Sequence, residues 1–228
     1  MLSQGVLKEK YLKKNNMFYN ILDQKRLKIL PYLKTFKKDF YIAGGTSLAL
    51  QIGHRDSIDF DFFSSKDLDT KKLFDELNEA FLEFEVLKIQ EEKNTLTVIA
   101  DGNIKLSFFT YKYKLLNELL NEENLKLASV EDIGCMKFSA VTGRATNKDY
   151  IDLYYILQNI KLEDLLKKAS EKFPNLDRNL ILKSLIYFDD IDIEPIILKN
   201  DNYVDFKDVK KFLEEEVCGL QKKGLRIR

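Results

Sequence analysis

Residues 41–65 read YIAGGTSLALQIGHRDSIDFDFFSS. A short apolar run stops at Gly44-Gly45. TSLALQIG follows, and then Asp59 and Asp61 stand one residue apart among large apolar neighbours. DFYIAGG predicts a short strand ending in a glycine turn. Thr46 or Ser47 then caps a short helix that Gly53 closes. SIDFDFF alternates, which predicts a strand with Phe60 and Phe62 on one face and Asp59, Asp61 and Phe63 on the other. Two ionised carboxylates at i and i+2 of a strand lie about 6.5–7 Å apart at Cα and repel each other in a partly apolar setting. A divalent cation removes the repulsion, and Mg²⁺ takes one or two carboxylates together with substrate phosphates. Gly44 and Gly45 let the backbone approach a ligand closely, and the helix start that follows offers N–H groups to a phosphate. Thr46 and Ser47 add hydroxyl donors. Taken singly, a glycine pair is a turn and an Asp-x-Asp strand is a solvent face. In this order, with 13 residues between Gly45 and Asp59, they predict a metal–triphosphate site, where the protein positions and the metal spans phosphate oxygens.

The 228 residues suffice for one large domain or two small lobes. Apolar residues make up 45% and charged residues 32%, which suits a globular chain with a solvated surface. No apolar run approaches the about 20 residues of a bilayer span, so no membrane is expected. The opening MLSQGVLKEKYLKKNN is basic but leads into no apolar core, so it carries no signal-peptide pattern. Cys135 and Cys218 give neither a disulfide framework nor a zinc spacing, which makes a reducing cytoplasm the expected location. Basic and acidic residues balance at 37 each, so the chain as a whole is not a polyanion binder. Lys8–Lys14 and the tail QKKGLRIR remain as local basic stretches, read as frayed, solvated termini.

Around the opening stretch, residues 17–36 have a helical pattern interrupted near Pro31. Leu68–Leu82 is amphipathic. EFEVLKIQEEK predicts a strand, and TLTVIADGNIKLSFFTYKY predicts a hairpin: Leu96, Val98 and Ala100 alternate on one arm, Ile104, Leu106 and Phe108 on the other, and Asp101-Gly102 fits the turn. After about residue 115 the pattern is nearly all helical. Ser129 with Asp132 suggests a capping box, and Asn147 a cap for the next helix. Further helices are expected at 162–172, 177–188 and 206–218. Asp189, Asp190, Asp192 and Glu194 read as a solvated loop ending at Pro195. The Phe and Tyr content reads as core and interface material, with no RNA-binding aromatic pattern in it.

GGTSLALQIGHRDSIDFDFF, residues 44–63, resembles the first motif of the AbiEii/AbiGii family of nucleotidyltransferase-like toxins, part of the DNA polymerase β-type nucleotidyltransferase superfamily. ASVEDIGCMKFSAVTGRATNKDYIDLYYIL, residues 128–157, is similar to the family's second signature, a helix bearing Lys and Arg followed by a Lys-Asp-x-x-Asp-Leu helix. The two stretches frame roughly residues 17–160. The resemblance implies an α+β fold: a nucleotidyltransferase-like mixed β-sheet core with flanking helices over residues 1–115, with 1–16 a loose extension, and a helical region over 116–228 forming the second side of a cleft. It implies that Gly44, Gly45 and Thr46 form the phosphate-binding turn and that Asp59 and Asp61 form the metal-binding, catalytic pair. Lys137, Arg144, Lys148, Asp149 and Asp152 match the second signature. Arg55 is placed to reach phosphate with His54 orienting it, or both fix the helix-to-strand connection. Lys137 and Arg144 are two helical turns apart and so share a face, where two cations would hold a triphosphate. Asp149 and Asp152 also share a face, where one would orient those cations or act near the metal; the resemblance implies Lys137, Asp149 and Asp152 as catalytic and Arg144 and Lys148 as nucleotide-binding. The alternative is that the two cations pair with those two aspartates between neighbouring helices.

One position departs from the superfamily pattern. Where a third carboxylate often stands as general base, this chain reads NIKLSFF, with Ser107 facing the site. A serine is neither base nor metal ligand at neutral pH. The function implied is Mg²⁺-dependent transfer of NMP from an NTP to a hydroxyl acceptor, RNA or tRNA, by the toxin of a bacterial toxin–antitoxin or phage-defence pair, with an antitoxin as partner. The alternatives are nucleotidylation of a small molecule, as in the antibiotic-modifying branch, and a degenerate fold that binds nucleotide or a partner without turnover.

Overall fold

The computed structural model describes residues 17–144 and 146–225. The basic stretch Lys8–Lys14 and the expected N-terminal extension lie outside the described residues, as does the end of the tail. The described chain forms two compact units that divide between Ser129 and Val130. That division falls later than residue 115, because two short strands beyond that point join the sheet.

The first unit is built on seven strands: β1 (Tyr41–Ala43), β2 (Phe60–Ser64), β3 (Val86–Glu92), β4 (Thr95–Ala100), β5 (Ile104–Thr110), β6 (Leu120–Asn121) and β7 (Lys126–Leu127). Their order is β3-β4-β5-β2-β1-β7-β6. β2 runs antiparallel to β1 and parallel to β5, so the sheet is mixed and β2 is paired on both sides. The β4–β5 hairpin turns at Asp101 and Gly102, both with positive φ, as a tight hairpin requires.

Three helices belong to this unit: α1 (Gln24–Leu33), α2 (Gly44–Ile52) and α3 (Thr70–Ala80). The Asp23 side chain caps α1 by accepting from the Arg26 N–H at 2.9 Å. Pro31 does not break α1; the helix runs on to Leu33 and tightens into a 3₁₀ segment over Lys34–Lys38. Phe60, Phe62, Leu106 and Phe108 alternate into the core, where Ile29, Leu33, Phe36, Leu77 and Phe81 meet them. Phe62 and Phe108 stack at 4.6 Å. Each such side chain gains about 1.5–3 kcal/mol from leaving water. One face of the sheet is thereby committed to the core, and the opposite face carries Asp61.

The second unit is helical: α4 (Val130–Gly143), α5 (Asn147–Leu157), α6 (Leu162–Lys172), α7 (Arg178–Leu185) and α8 (Phe206–Leu225). Ile133, Cys135 and Phe138 of α4 are buried, as are Leu165 and Leu166 of α6 and Val209, Leu213 and Val217 of α8. Lys172 and Asp132 form a wholly buried ion pair at 2.8 Å. Asn147 lies inside α5 rather than capping it: its amide donates to the Glu194 carbonyl at 2.9 Å and its side-chain oxygen accepts from the Glu194 N–H at 3.0 Å. The acidic loop is therefore tied down at Glu194, while Asp189 and Asp190 are exposed. α8 extends to Leu225, well past the expected end at 218, so the start of the tail is helical. No helix among the described residues is long and apolar enough to cross a membrane.

Candidate functional site

The glycines open α2 itself. Sequence patterning placed the cap at Thr46 or Ser47, but the helix begins at Gly44, and its N-cap is Ala43 with no side-chain bond. Gly44 holds φ at +75°, a conformation that suits glycine. A Cβ there would lie 3.0 Å from Asp61 Oδ2, so the missing side chain leaves room for that carboxylate. A Cβ on Gly45 would collide with the Arg55 guanidinium. The two glycines thus bring the positive end of α2 against Asp61 and Arg55. As expected, Gly53 ends the helix in the left-handed region, its N–H bonding to the Ala49 carbonyl at 2.8 Å.

Strand register sets the rest. Asp61 pairs with Ala43 on β1 and with Ser107 on β5, and Ser107 pairs with Thr97 on β4. Paired residues point to the same face, so Ala43, Asp61, Ser107 and Thr97 make one row across the sheet. The serine expected beside the carboxylates does stand next to Asp61, and it is buried. Asp59 precedes the strand, with its carboxylate 44% exposed and 3.9 Å from Lys105 Nζ. The next row in the other direction is aromatic, with Tyr41, Phe63 and Phe109 abreast. Pattern reading along one segment missed this row because its members come from three strands.

Thr46 has a different task from donating to phosphate. Its hydroxyl bonds to the Asp59 carbonyl and lies 2.7 Å from Ser57 Oγ. A hydroxyl has one proton, so Thr46 donates to the carbonyl and Ser57 donates to Thr46. Thr46 therefore fixes the backbone at Asp59. Ser47 is fully enclosed in the fold, with the Gln51 amide 3.4 Å from its Oγ and 3.0 Å from its carbonyl. Arg55 is buried and donates to the Asp56 carbonyl at 3.0 Å. His54 is buried too.

In the helical unit, the second-signature residues divide. Lys137, 8% exposed, sits between Asp149 Oδ1 at 2.7 Å and Asp152 Oδ2 at 2.6 Å. Thr146 Oγ1 donates to the other Asp149 oxygen at 3.1 Å. Lys137 thus pairs with both aspartates, and among the described residues Arg144 pairs with neither. Arg144 directly follows the last residue of α4, its N–H bonding to the Ala140 carbonyl at 2.9 Å, and it is exposed. Lys148 is paired with Glu194 at 2.6 Å.

The residues that fit a divalent cation are Asp59 and Asp61: hard oxygen donors, one of them half in solvent and the other packed against Gly44. Among the described residues no cluster of three or more His, Cys, Asp or Glu side chains is placed to hold a metal. Two carboxylates, one of them half in solvent, suit a cation completed by substrate oxygens.

The fold is shared with nucleotidyltransferase structures. MenT4, a nucleotidyltransferase toxin from Mycobacterium tuberculosis, superposes with a TM-score of 0.57 at 16% identity, covering 96% of this chain and 90% of that one. A putative nucleotidyltransferase from H. pylori superposes at 0.52 with 15% identity, covering 91% and 99%. In sequence the chain is 37% identical over 188 residues to an uncharacterized protein of Aquifex aeolicus, covering 77% of this chain and 89% of that protein. The model of the family described as nucleotidyl transferase AbiEii toxin, type IV toxin–antitoxin system, matches residues 29–216. That span holds both the glycine–aspartate motif and the Lys137 cluster, and the chain belongs to the AbiEii family of nucleotidyl transferase toxins.

Proposed function

We propose that this chain transfers NMP from a Mg²⁺-bound NTP to a hydroxyl on RNA, tRNA being the expected acceptor, as the toxin of a pair whose partner is an antitoxin. One observation carries the reading: Asp61 lies against the side-chain-free Gly44 at the start of α2, with Asp59 two residues before it. Asp59 and Asp61 would hold the cation, and the first N–H groups of α2 would receive a phosphate. The cation would supply positive charge against the triphosphate there. Arg55, at the same helix end, adds a fixed cation. The acceptor oxygen forms a bond to the α-phosphorus, the bond to pyrophosphate breaks, and the hydroxyl proton goes to a carboxylate of the pair or to solvent, since Ser107 takes none. Thr46 serves by holding the Asp59 backbone in place.

The test is direct. Each labelled NTP is titrated onto the wild-type chain with and without Mg²⁺, and then onto Asp59→Asn/Asp61→Asn. The expected result is Mg²⁺-dependent binding that the double substitution lowers by at least tenfold, consistent with losing charge-assisted contacts of about 1.5–3 kcal/mol. Equal binding by the two proteins overturns the assignment. Incubation with α-labelled NTP and total RNA then reads transfer. A second reading, nucleotide binding without turnover, rests on Ser107 beside Asp61. It predicts Mg²⁺-dependent binding with no label entering RNA.

A further inference from the structure

Past the carboxylates, the same sheet face becomes aromatic. Tyr41, itself buried, backs Phe63 at 5.9 Å, and the partly exposed Phe63 and Phe109 lie 5.5 Å apart, so the rings that can take a base are those from Phe63 outward. Tyr111 follows 5.3 Å from Phe63, and Tyr113 lies 5.1 Å from Tyr111. The series leads into a cavity of about 380 Å³ at the end of β2, whose lining includes Tyr111, Tyr113, Lys38, Lys112, Lys114 and Lys126. Its one acidic lining residue, Asp39, is already neutralised by Lys66 at 2.8 Å. Lys112 is paired with Asp67 at 2.7 Å, and the lining as a whole holds four lysines against one aspartate. From Asp61 to Ser64 is three residues along β2, about 10 Å. Every lining residue belongs to the sheet unit.

We propose that this aromatic row and lysine cavity hold an unpaired segment of the RNA acceptor. The proposal rests on the nucleotidyl-transfer reading for the word acceptor, and on the cavity itself for the binding. Lysines supply point charges to phosphates, and aromatic rings accept any base by stacking. A duplex keeps its bases stacked on one another and cannot use the rings. The chain's zero net charge is no obstacle, because the cationic residues are local.

The test uses the full chain and a short labelled single-stranded RNA of mixed sequence, without NTP, across a series of KCl concentrations. Binding is expected to weaken with salt. Lys38→Gln/Lys126→Gln should reduce the slope of log K against log salt by about 1.4, because each phosphate contact on a single strand contributes about 0.7. At fixed salt, Tyr113→Ala should weaken binding roughly five- to hundredfold. All these variants should keep the wild-type affinity for Mg·NTP, and Asp59→Asn/Asp61→Asn should keep the affinity for RNA. An unchanged slope and affinity in the lysine and tyrosine variants overturns the proposal, as does equal binding of a duplex of the same length. Loss of NTP affinity in the lysine variant also overturns it, by making the cavity the nucleotide's own. If RNA binding depends on Lys38, Lys126 and Tyr113 but the wild type binds no Mg·NTP, the strand site stands and the transfer reading falls.

Discussion

In the sheet unit, the Asp59 carboxylate is 44% exposed with Lys105 at 3.9 Å; in the helical unit, Asp152 is fully buried with Lys137 at 2.6 Å. Both regions carry two aspartates at short spacing, yet they balance charge in opposite ways. The helical cluster brings its own cation, held by two carboxylates and braced by Thr146. In the strand pair Asp59 is half in solvent, and Asp61 packs closely against Gly44, where a Cβ would come within 3.0 Å of its Oδ2. Carboxylates buried around one cation hold a structure together, whereas a half-exposed carboxylate with its lysine at the edge of ion-pair range can take a charge from outside. A substitution should therefore register in different measurements in the two units.

The largest effect is expected at Lys137. Lys137→Met keeps most of the stem but leaves two buried carboxylates without their cation, which costs about 3–5 kcal/mol. For a chain of this size the melting temperature should fall by roughly 10 °C. Adding Asp149→Asn and Asp152→Asn should restore much of the loss, since the stranded charges are then gone. A melting temperature unchanged by Lys137→Met would break the contrast between the two units. Next in size is Gly44→Ala. Holding an L-residue in the left-handed region costs about 1–2 kcal/mol, and the new methyl would crowd Asp61 Oδ2. Calorimetry should show a smaller drop than for Lys137, and Mg·NTP binding should weaken more than stability does. The smallest change in stability is expected for Asp59→Asn, within about 0.5 kcal/mol of wild type or slightly stabilising, because removing one of two nearby like charges relieves repulsion. A destabilisation as large as that of Lys137→Met would mean that the strand pair is structural too.

Much of this was readable in the chain. Alternation placed Phe60 and Phe62 inward and Asp61 outward, Asp101-Gly102 marked the hairpin, and Gly53 marked a helix end. Other features left no local trace. β6 and β7 are two residues each, too short for any periodicity, so the sheet seemed to stop near 115. Thr46 looked like a cap because hydroxyls favour that position, but a Gly44 with positive φ allowed the helix to start two residues earlier. Lys137 and Arg144 lie two turns apart, but Lys137 is buried in its ion pairs while Arg144, just past the end of α4, is exposed, a difference that spacing alone does not give. The aromatic row and its lysines span residues 38 to 126, and only strand order brings them together.

The double-sided pairing of β2 has a further consequence for how the two strand carboxylates behave. Asp61 sits within the ladder, clamped by β1 and β5, so its backbone stays put whatever arrives. It loses little conformational entropy on ligation and needs little reorganisation. Asp59 lies one residue outside the ladder, its carbonyl tied to Thr46 but its side chain reaching into solvent. On the proposed chemistry the pair is therefore unequal: Asp61 is a fixed anchor, and Asp59 is an adjustable arm that can follow a cation as its oxygen shell changes between nucleotide and pyrophosphate.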